Sequence, residues 1–193
     1  MNRTATLALS AALAALPAMA ATEEPAFETL RQSGDYELRR YAPMIVAETF
    51  VEGDLWSASN DGFRVIAGYI FGDNVAAGGS GSEKVAMTAP VTTESDGTRY
   101  RMHFVMPSRY TLATLPQPKD ARVKLREVPA RRMAVLRFSG FTGEDKVKEK
   151  TAKLLAWVRA EGLTPAGAPQ LARYDPPWTL PFLRRNEVMV QVD

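Results

Sequence analysis

The sequence predicts an α+β fold in which a pseudo-symmetric antiparallel β-sheet carries two main helices. Three observations point to it. Short runs rich in β-branched and aromatic residues alternate with turn residues, two longer stretches carry apolar residues at helical spacing, and the order strand, strand, helix, strand, strand occurs twice.

The chain opens with Arg3 and an apolar, small-residue run from Ala5 to Ala21 that contains Ala18-Met19-Ala20. With Pro17 just ahead of a small-x-small site, this is the pattern of a secretory signal peptide over residues 1–21, cleaved after Ala20 or Ala21. No later apolar stretch is long enough to cross a bilayer, so the expected product is a single released domain, 22–193, periplasmic or secreted, with no stable membrane span. There is no Cys, which removes lipid attachment through an N-terminal cysteine. A domain of about 170 residues buries a continuous core without disulfide staples. The 24 basic and 22 acidic residues give a formal net charge of +2, reduced by one when Arg3 is lost. That balance provides no global field for nucleic acid or an anionic membrane.

Taken in order, Tyr36–Tyr41 and Met44–Phe50 read as strands punctuated by Pro43. After Gly53, residues Phe63, Ile66, Ala67 and Ile70 fall at i, i+3, i+4 and i+7, and Gly72 closes a helix of roughly four turns. The glycine-rich stretch 72–82 lacks the spacing of a nucleotide loop and leads into an extended segment, Lys84–Val91, interrupted by Pro90. Thr98–Met106 alternates as a strand, with Tyr100, Met102, Phe104 and Met106 on one face and Arg101, His103 and Val105 on the other. Leu125–Val128 then corresponds to Leu38–Tyr41, and Met133–Phe138 to Ile45–Phe50. A second helix follows with the stripe Val147, Thr151, Leu154, Leu155 and Val158, and Thr142 with Asp145 reads as its N-terminal cap pair. Segments 172–174 and 187–192, on either side of a Pro-rich loop, supply the last strands.

Three stretches carry a family resemblance: Lys84-Val-Ala-Met-Thr-Ala-Pro-Val91, Phe104-Val-Met-Pro-Ser108, and Tyr174-Asp-Pro-Pro-Trp-Thr-Leu-Pro-Phe-Leu-Arg-Arg-Asn-Glu-Val188. In order and spacing they resemble the SOUL family of haem-binding proteins over almost the whole of 22–193. The resemblance implies a distorted antiparallel barrel or strongly curved sheet flanked by two helices. It also implies binding of haem or another porphyrin in an apolar groove beside the first helix, at positions that include Phe63, Ala67 and Tyr174.

Haem is a flat apolar disc with two carboxylates at one edge, so its site needs a greasy slot with cations at the mouth. The candidates for that slot are Phe63, Ile66, Ala67, Ile70 and Tyr174, with Arg64 and Lys84 as propionate partners; the helix stripe equally suits a core face. His103, the only histidine, is the first candidate for an axial iron ligand. Met87, Met102 and Met106 are thioether alternatives that also suit core filling, and Tyr100 and Tyr174 rank lower. Arg184, Arg185, Asn186 and Glu187 read as a lock on the Pro-rich loop, with direct ligand contact as the alternative.

A binding protein, a carrier, buffer or scavenger of haem, is therefore the expected function rather than an enzyme. Two alternatives remain: a non-haem effector-binding domain, and a hydrolase or isomerase using Glu48, Asp175 or Glu187 as general base. With no Cys, one His and no Ser-centred nucleophile motif, the sequence gives catalysis little to work with.

Overall fold

The computed structural model describes residues 22–193, so the signal-peptide expectation lies outside the described residues. In chain order the elements are β1 (Phe27–Ser33), β2 (Tyr36–Tyr41), β3 (Met44–Glu52), α1 (Leu55–Ile70), β4 (Asn74–Val75), β5 (Val91–Ser95), β6 (Arg99–Val105), β7 (Gln117–Pro118), β8 (Lys124–Val128), β9 (Arg131–Phe138), α2 (Glu144–Ala160), β10 (Gln170–Arg173), a 3-10 turn (Pro181–Leu183) and β11 (Asn186–Val192). Nine strands form one strongly curled antiparallel sheet in the order β1-β2-β9-β11-β10-β5-β6-β3-β8, while β4 and β7 pair separately.

That order contains the repeat predicted from sequence, although the pairing registers match Met133 to Val46 rather than to Ile45, with no inserted residue. Exchanging β2 with β8, β3 with β9, β5 with β10 and β6 with β11 leaves the order of these eight strands unchanged when read from the other end. The pseudo-two-fold therefore passes between β5 and β10, the central pair. Each half lends its first strand to the other, since β2 pairs with β9 and β8 with β3. Neither half closes its sheet alone.

Both helices cover the same face. From α2, Leu154 and Val158 bury against Leu136, Val188 and Val190. From α1, Ile66, Tyr69 and Ile70 bury against Ala47, Met102 and Phe104. Each large aliphatic side chain removed from water in this way contributes about 1.5–3 kcal/mol. The approach of α1 is close enough that a Cβ at Gly62 would sit 3.1 Å from the Cβ and Sδ of Met102. Glycine is required there by space rather than by backbone conformation.

The helix starts depart from the sequence reading. Asp54 caps α1, its carboxylate accepting from the backbone N–H groups of Trp56 (2.9 Å) and Ser57 (2.8 Å). Thr142 and Asp145 do not form the expected cap pair, because the N-cap of α2 is Gly143 and no side chain caps it. The Thr142 hydroxyl instead accepts from Arg173 Nε at 3.2 Å. Glu144 and Asp145 lie in the first turn, where they favour the helix dipole, and Glu144 also accepts from Leu55 N–H, tying the two helix starts together. In the middle of the chain, the extended segment Lys84–Val91 joins the sheet only at Val91, directly after a proline that has no N–H to give to a ladder.

Candidate functional site

Side-chain alternation gives the sheet a second face, concave and, among the described residues, free of helices. On β6, Met102 and Phe104 point to α1, while Val105 and His103 point into the concavity. The same rule places Arg39 and Tyr41 of β2, Glu48 of β3, Arg131 and Met133 of β9, Gln170 of β10, and Glu187 and Met189 of β11 on this face. It is built largely of charge.

Two ionic clusters fill most of it. In the first, Arg39 donates to both carboxylate oxygens of Glu187 (2.9 and 3.0 Å), to Glu37 (2.8 Å) and to the Tyr41 hydroxyl (3.1 Å). Tyr174 donates its hydroxyl to Glu187 at 2.7 Å, and the Arg185 guanidinium lies 3.4 Å from the Tyr174 ring centroid. Burial opposes the charge on Arg39, but hydrogen bonds to Glu37 and Glu187 more than offset it and raise its pKa. Burial, followed by the Glu187 charge, raises the Tyr174 phenol far above its ordinary value. In the second cluster Glu48 accepts from Arg126 (2.9 Å), and Glu94 accepts from Arg101 (2.6 Å) and from Gln170 (2.7 Å).

Beyond these clusters, at one end of the sheet, lies an opening. A cleft of about 970 Å³ enters at the end of the sheet where the β2–β3 and β8–β9 turns meet the N-terminal segment, with Pro25, Ala42, Pro43, Met44, Val128 and Pro129 in its wall. Its inner end adjoins a recess of about 20 Å³, and the two share Pro25, Met44 and Val105. His103, Arg131, Thr92 and Gln170 line the recess. His103 is 5% exposed, and its Nδ1 has no hydrogen-bond partner among the described residues. Burial first, then Arg131, Arg101 and Arg126, holds its imidazole down to about 3, so the ring is neutral at ordinary pH. The buried Nε of Arg131 is likewise unpartnered.

The residues expected to form a haem slot do not come together. Ile66, Ala67 and Ile70 are core residues on the buried stripe of α1 and present no open surface. Phe63 is 41% exposed with its ring 5.8 Å from that of Phe104, and Arg64 turns back to Asp61 at 3.2 Å. Lys84 is exposed. Tyr174 sits across the sheet from all of these, in the concave face with Tyr41 and Met133. His103 lies on the concave face as its alternation with Arg101 implies, but at the bottom of a recess the size of a water molecule, where its nitrogens cannot meet the face of a macrocycle in this conformation. Of the methionines, Met102 and Met106 are core and Met87 is 39% exposed. Arg131, Gln170 and Thr92 were not singled out by sequence, because each belongs to an alternating strand like any other and only the curl of the sheet makes them converge.

The loop lock is present. Arg184 donates to the carbonyls of Thr179 (2.8 Å) and Pro177 (2.5 Å), the Arg185 N–H donates to Asp175 (2.6 Å), and Asn186 donates to the Gly140 carbonyl (3.0 Å). Arg185 also pairs with Glu24, fastening the loop to the N-terminal segment at the cleft.

A curled antiparallel sheet with two helices on one face and a cleft at one end defines an α+β fold shared with solved proteins of low sequence identity. The C-terminal domain of EcmrR superposes with a TM-score of 0.63 at 14% identity, covering 82% of this chain and 96% of that one. A hydrolase of Listeria innocua does so with a TM-score of 0.56 at 15% identity, covering 82% and 92%. These likenesses concern the fold. Residues 22–191 match the family described as SOUL heme-binding protein, and the chain belongs to that family. It is 30% identical over 138 residues to heme-binding protein 2 of Mus musculus, and 30% identical over 140 residues to heme-binding protein 2 of Homo sapiens. The similarity spans 68% of this chain and 65% of the length of those relatives. Membership of a haem-binding family supports haem, or a related porphyrin, as a bound ligand.

Proposed function

We propose that this chain is an exported haem-binding or tetrapyrrole-binding protein, a carrier, buffer or scavenger rather than a catalyst, and that the ligand enters the concave cleft. The observation that carries the choice of site is the cleft itself, about 970 Å³ and walled largely by aliphatic side chains and prolines. That is the size and chemistry of a small-molecule site. Export is supported by the leader-like pattern of residues 1–21 and fits a cysteine-free domain that needs no disulfide in an oxidising compartment. A binding role is favoured over catalysis because the carboxylates available as general bases are already occupied. Glu48 is held by Arg126, Glu187 by Arg39 and Tyr174, and Asp175 by the Arg185 N–H.

A second reading keeps the ligand on the outer surface of α1, and one observation favours it: Phe63 leaves an aromatic face half open beside the exposed Arg64. Ferric haem titrated into protein beginning at Thr22, followed at the Soret band, separates the two. Saturable one-to-one binding that is weakened in Ala42→Trp, which fills the cleft, and kept in Phe63→Asp places haem in the cleft. The reverse pattern places it on α1. No saturable shift in the unmodified protein sinks both.

A further inference from the structure

The recess at the inner end of the cleft holds a cation that Glu94 attracts only from beyond ion-pair distance. Three guanidinium groups, Arg101, Arg126 and Arg131, surround His103, and two carboxylates, Glu48 and Glu94, answer them. Those carboxylates engage Arg101 and Arg126. Among the described residues no carboxylate is in ion-pair contact with Arg131, and its Nε makes no hydrogen bond. Beside it, the nine-tenths-buried His103 presents an Nδ1 with no partner. Buried polar groups are almost always satisfied, so two unsatisfied groups converging on one small space mark a place where something else supplies the partner. The space, about 20 Å³, is water-sized, so a carboxylate enters it from the cleft with one oxygen foremost.

We propose that this recess is a carboxylate-binding subsite, in which Arg131 pairs with one acid group of a ligand whose largely apolar body lies in the cleft. The assignment of the body to the cleft rests on the proposed function above. Arg131 supplies the charge. His103 is neutral, and with its proton on Nδ1 it adds a second donor to the same oxygens. Thr92 and Gln170 complete the polar lining, and Met44, Met133 and Met189 form the apolar remainder. The rim does not compete for this role. Glu23 already accepts from the Ser108 N–H at 2.7 Å, Glu24 is paired with Arg185, and Glu127 lines the outer cleft where it is exposed to solvent. Recognition at the inner end is thus by acid group and not by metal. A tetrapyrrole propionate and the head of a long-chain fatty acid present the same chemistry there.

Two ligand pairs, each a free acid with its ester, separate the outcomes: protoporphyrin IX with its dimethyl ester, and dodecanoate with its methyl ester. Each is titrated into the unmodified protein from Thr22 onward, Arg131→Gln and Arg131→Lys. The expected result is a preference for the free acid of about 10- to 100-fold, the range of a charge-assisted hydrogen bond in a buried site. Arg131→Gln abolishes that preference and Arg131→Lys keeps part of it. Removing an uncompensated buried cation relieves a desolvation penalty, so Arg131→Gln stays folded, which a thermal melt confirms. Acid and ester binding equally tightly, or an acid preference that survives Arg131→Gln, overturns the subsite. So does a failure of both acids to bind, which leaves the recess to water alone. If dodecanoate shows the pattern and the porphyrin pair does not bind, the tetrapyrrole reading falls and the carboxylate subsite stands. If porphyrin acid and ester bind alike, the reverse holds.

Discussion

Replacing His103 by glutamine should flatten the acid side of the stability profile, by an amount that follows from where the imidazole sits. The ring is buried, faces Arg101, Arg126 and Arg131, and has Glu48 and Thr92 opposite it on the neighbouring strands, with both nearby glutamates paired to arginines. Its folded pKa is held down to about 3 by burial and then by those three cations. An unfolded histidine titrates near 6.5. Between these values the unfolded chain binds a proton that the folded chain refuses, so stability falls as pH drops below about 6.5, by about 1.4 kcal/mol per unit, and stops falling only below about 3. From pH 7 to pH 5 the loss through this one group is about 2 kcal/mol, and over the whole window it is on the order of 5 kcal/mol. Glutamine keeps hydrogen-bonding capacity and does not titrate. Urea unfolding at pH 7 and pH 5 should therefore give unmodified protein a loss about 2 kcal/mol greater than that of His103→Gln, whatever the carboxylates add to both. Equal losses would show that the imidazole is protonated or solvated in the folded state, and would refute the neutral, buried histidine on which the recess depends.

Two further outcomes test the frame that holds the site. Glu187→Ala leaves the buried Arg39 without its bidentate partner and the Tyr174 hydroxyl without its acceptor, so chemical denaturation should show a loss of about 3–5 kcal/mol, the cost of stranding one member of a buried pair. Asp54→Ala removes the side-chain acceptor for the Trp56 and Ser57 N–H groups at the start of α1; a loss of about 0.5–2 kcal/mol in the same assay is expected, and no loss would mean that water caps the helix as well as the carboxylate does.

The helices and most strands were legible because each carries its own period. The stripe Phe63, Ile66, Ala67, Ile70 repeats at 3.6 residues, and the run from Tyr100 to Met106 alternates at two. What periodicity reports is a buried face, and it does not say what the face is buried against. Ile66 and Ile70 consequently read as well for a ligand slot as for the core they belong to. Edge strand β1, Phe-Glu-Thr-Leu-Arg-Gln-Ser, is exposed along nearly all its length and offers no apolar alternation to read. Asp54 went unread as a cap because the helix signal begins nine residues later. The loop lock was legible for the opposite reason, since Arg184 and the Arg185 N–H bond to carbonyls and a carboxylate within ten residues in sequence, although Asn186 reaches the distant Gly140 carbonyl. The recess could not be read at all. His103, Arg131 and Gln170 lie on three strands far apart in the chain, and only the closure of the curled sheet around β5 and β10 brings them together.

The repeat explains why the recess forms there. Under the exchange that maps one half onto the other, pairing registers fix the equivalent positions. Arg126 faces Val46 as Arg39 faces Met133, and Val128 faces Met44 as Tyr41 faces Arg131. One step inward, His103 faces Glu48 as Met189 faces Val135, and Thr92 faces His103 as Gln170 faces Met189. The recess is therefore lined by symmetry-related pairs: Arg131 with Met44, His103 with Met189, and Thr92 with Gln170. It lies about the pseudo-two-fold, and at two of the three pairs one half supplies a polar group where the other supplies methionine. A symmetric duplication places identical side chains on its axis, and such a recess would hold either two cations in mutual repulsion or none. Divergence to one arginine and one methionine leaves a single charge against an adaptable apolar wall. That asymmetry suits a ligand that buries one acid group here and turns an apolar body back toward the cleft.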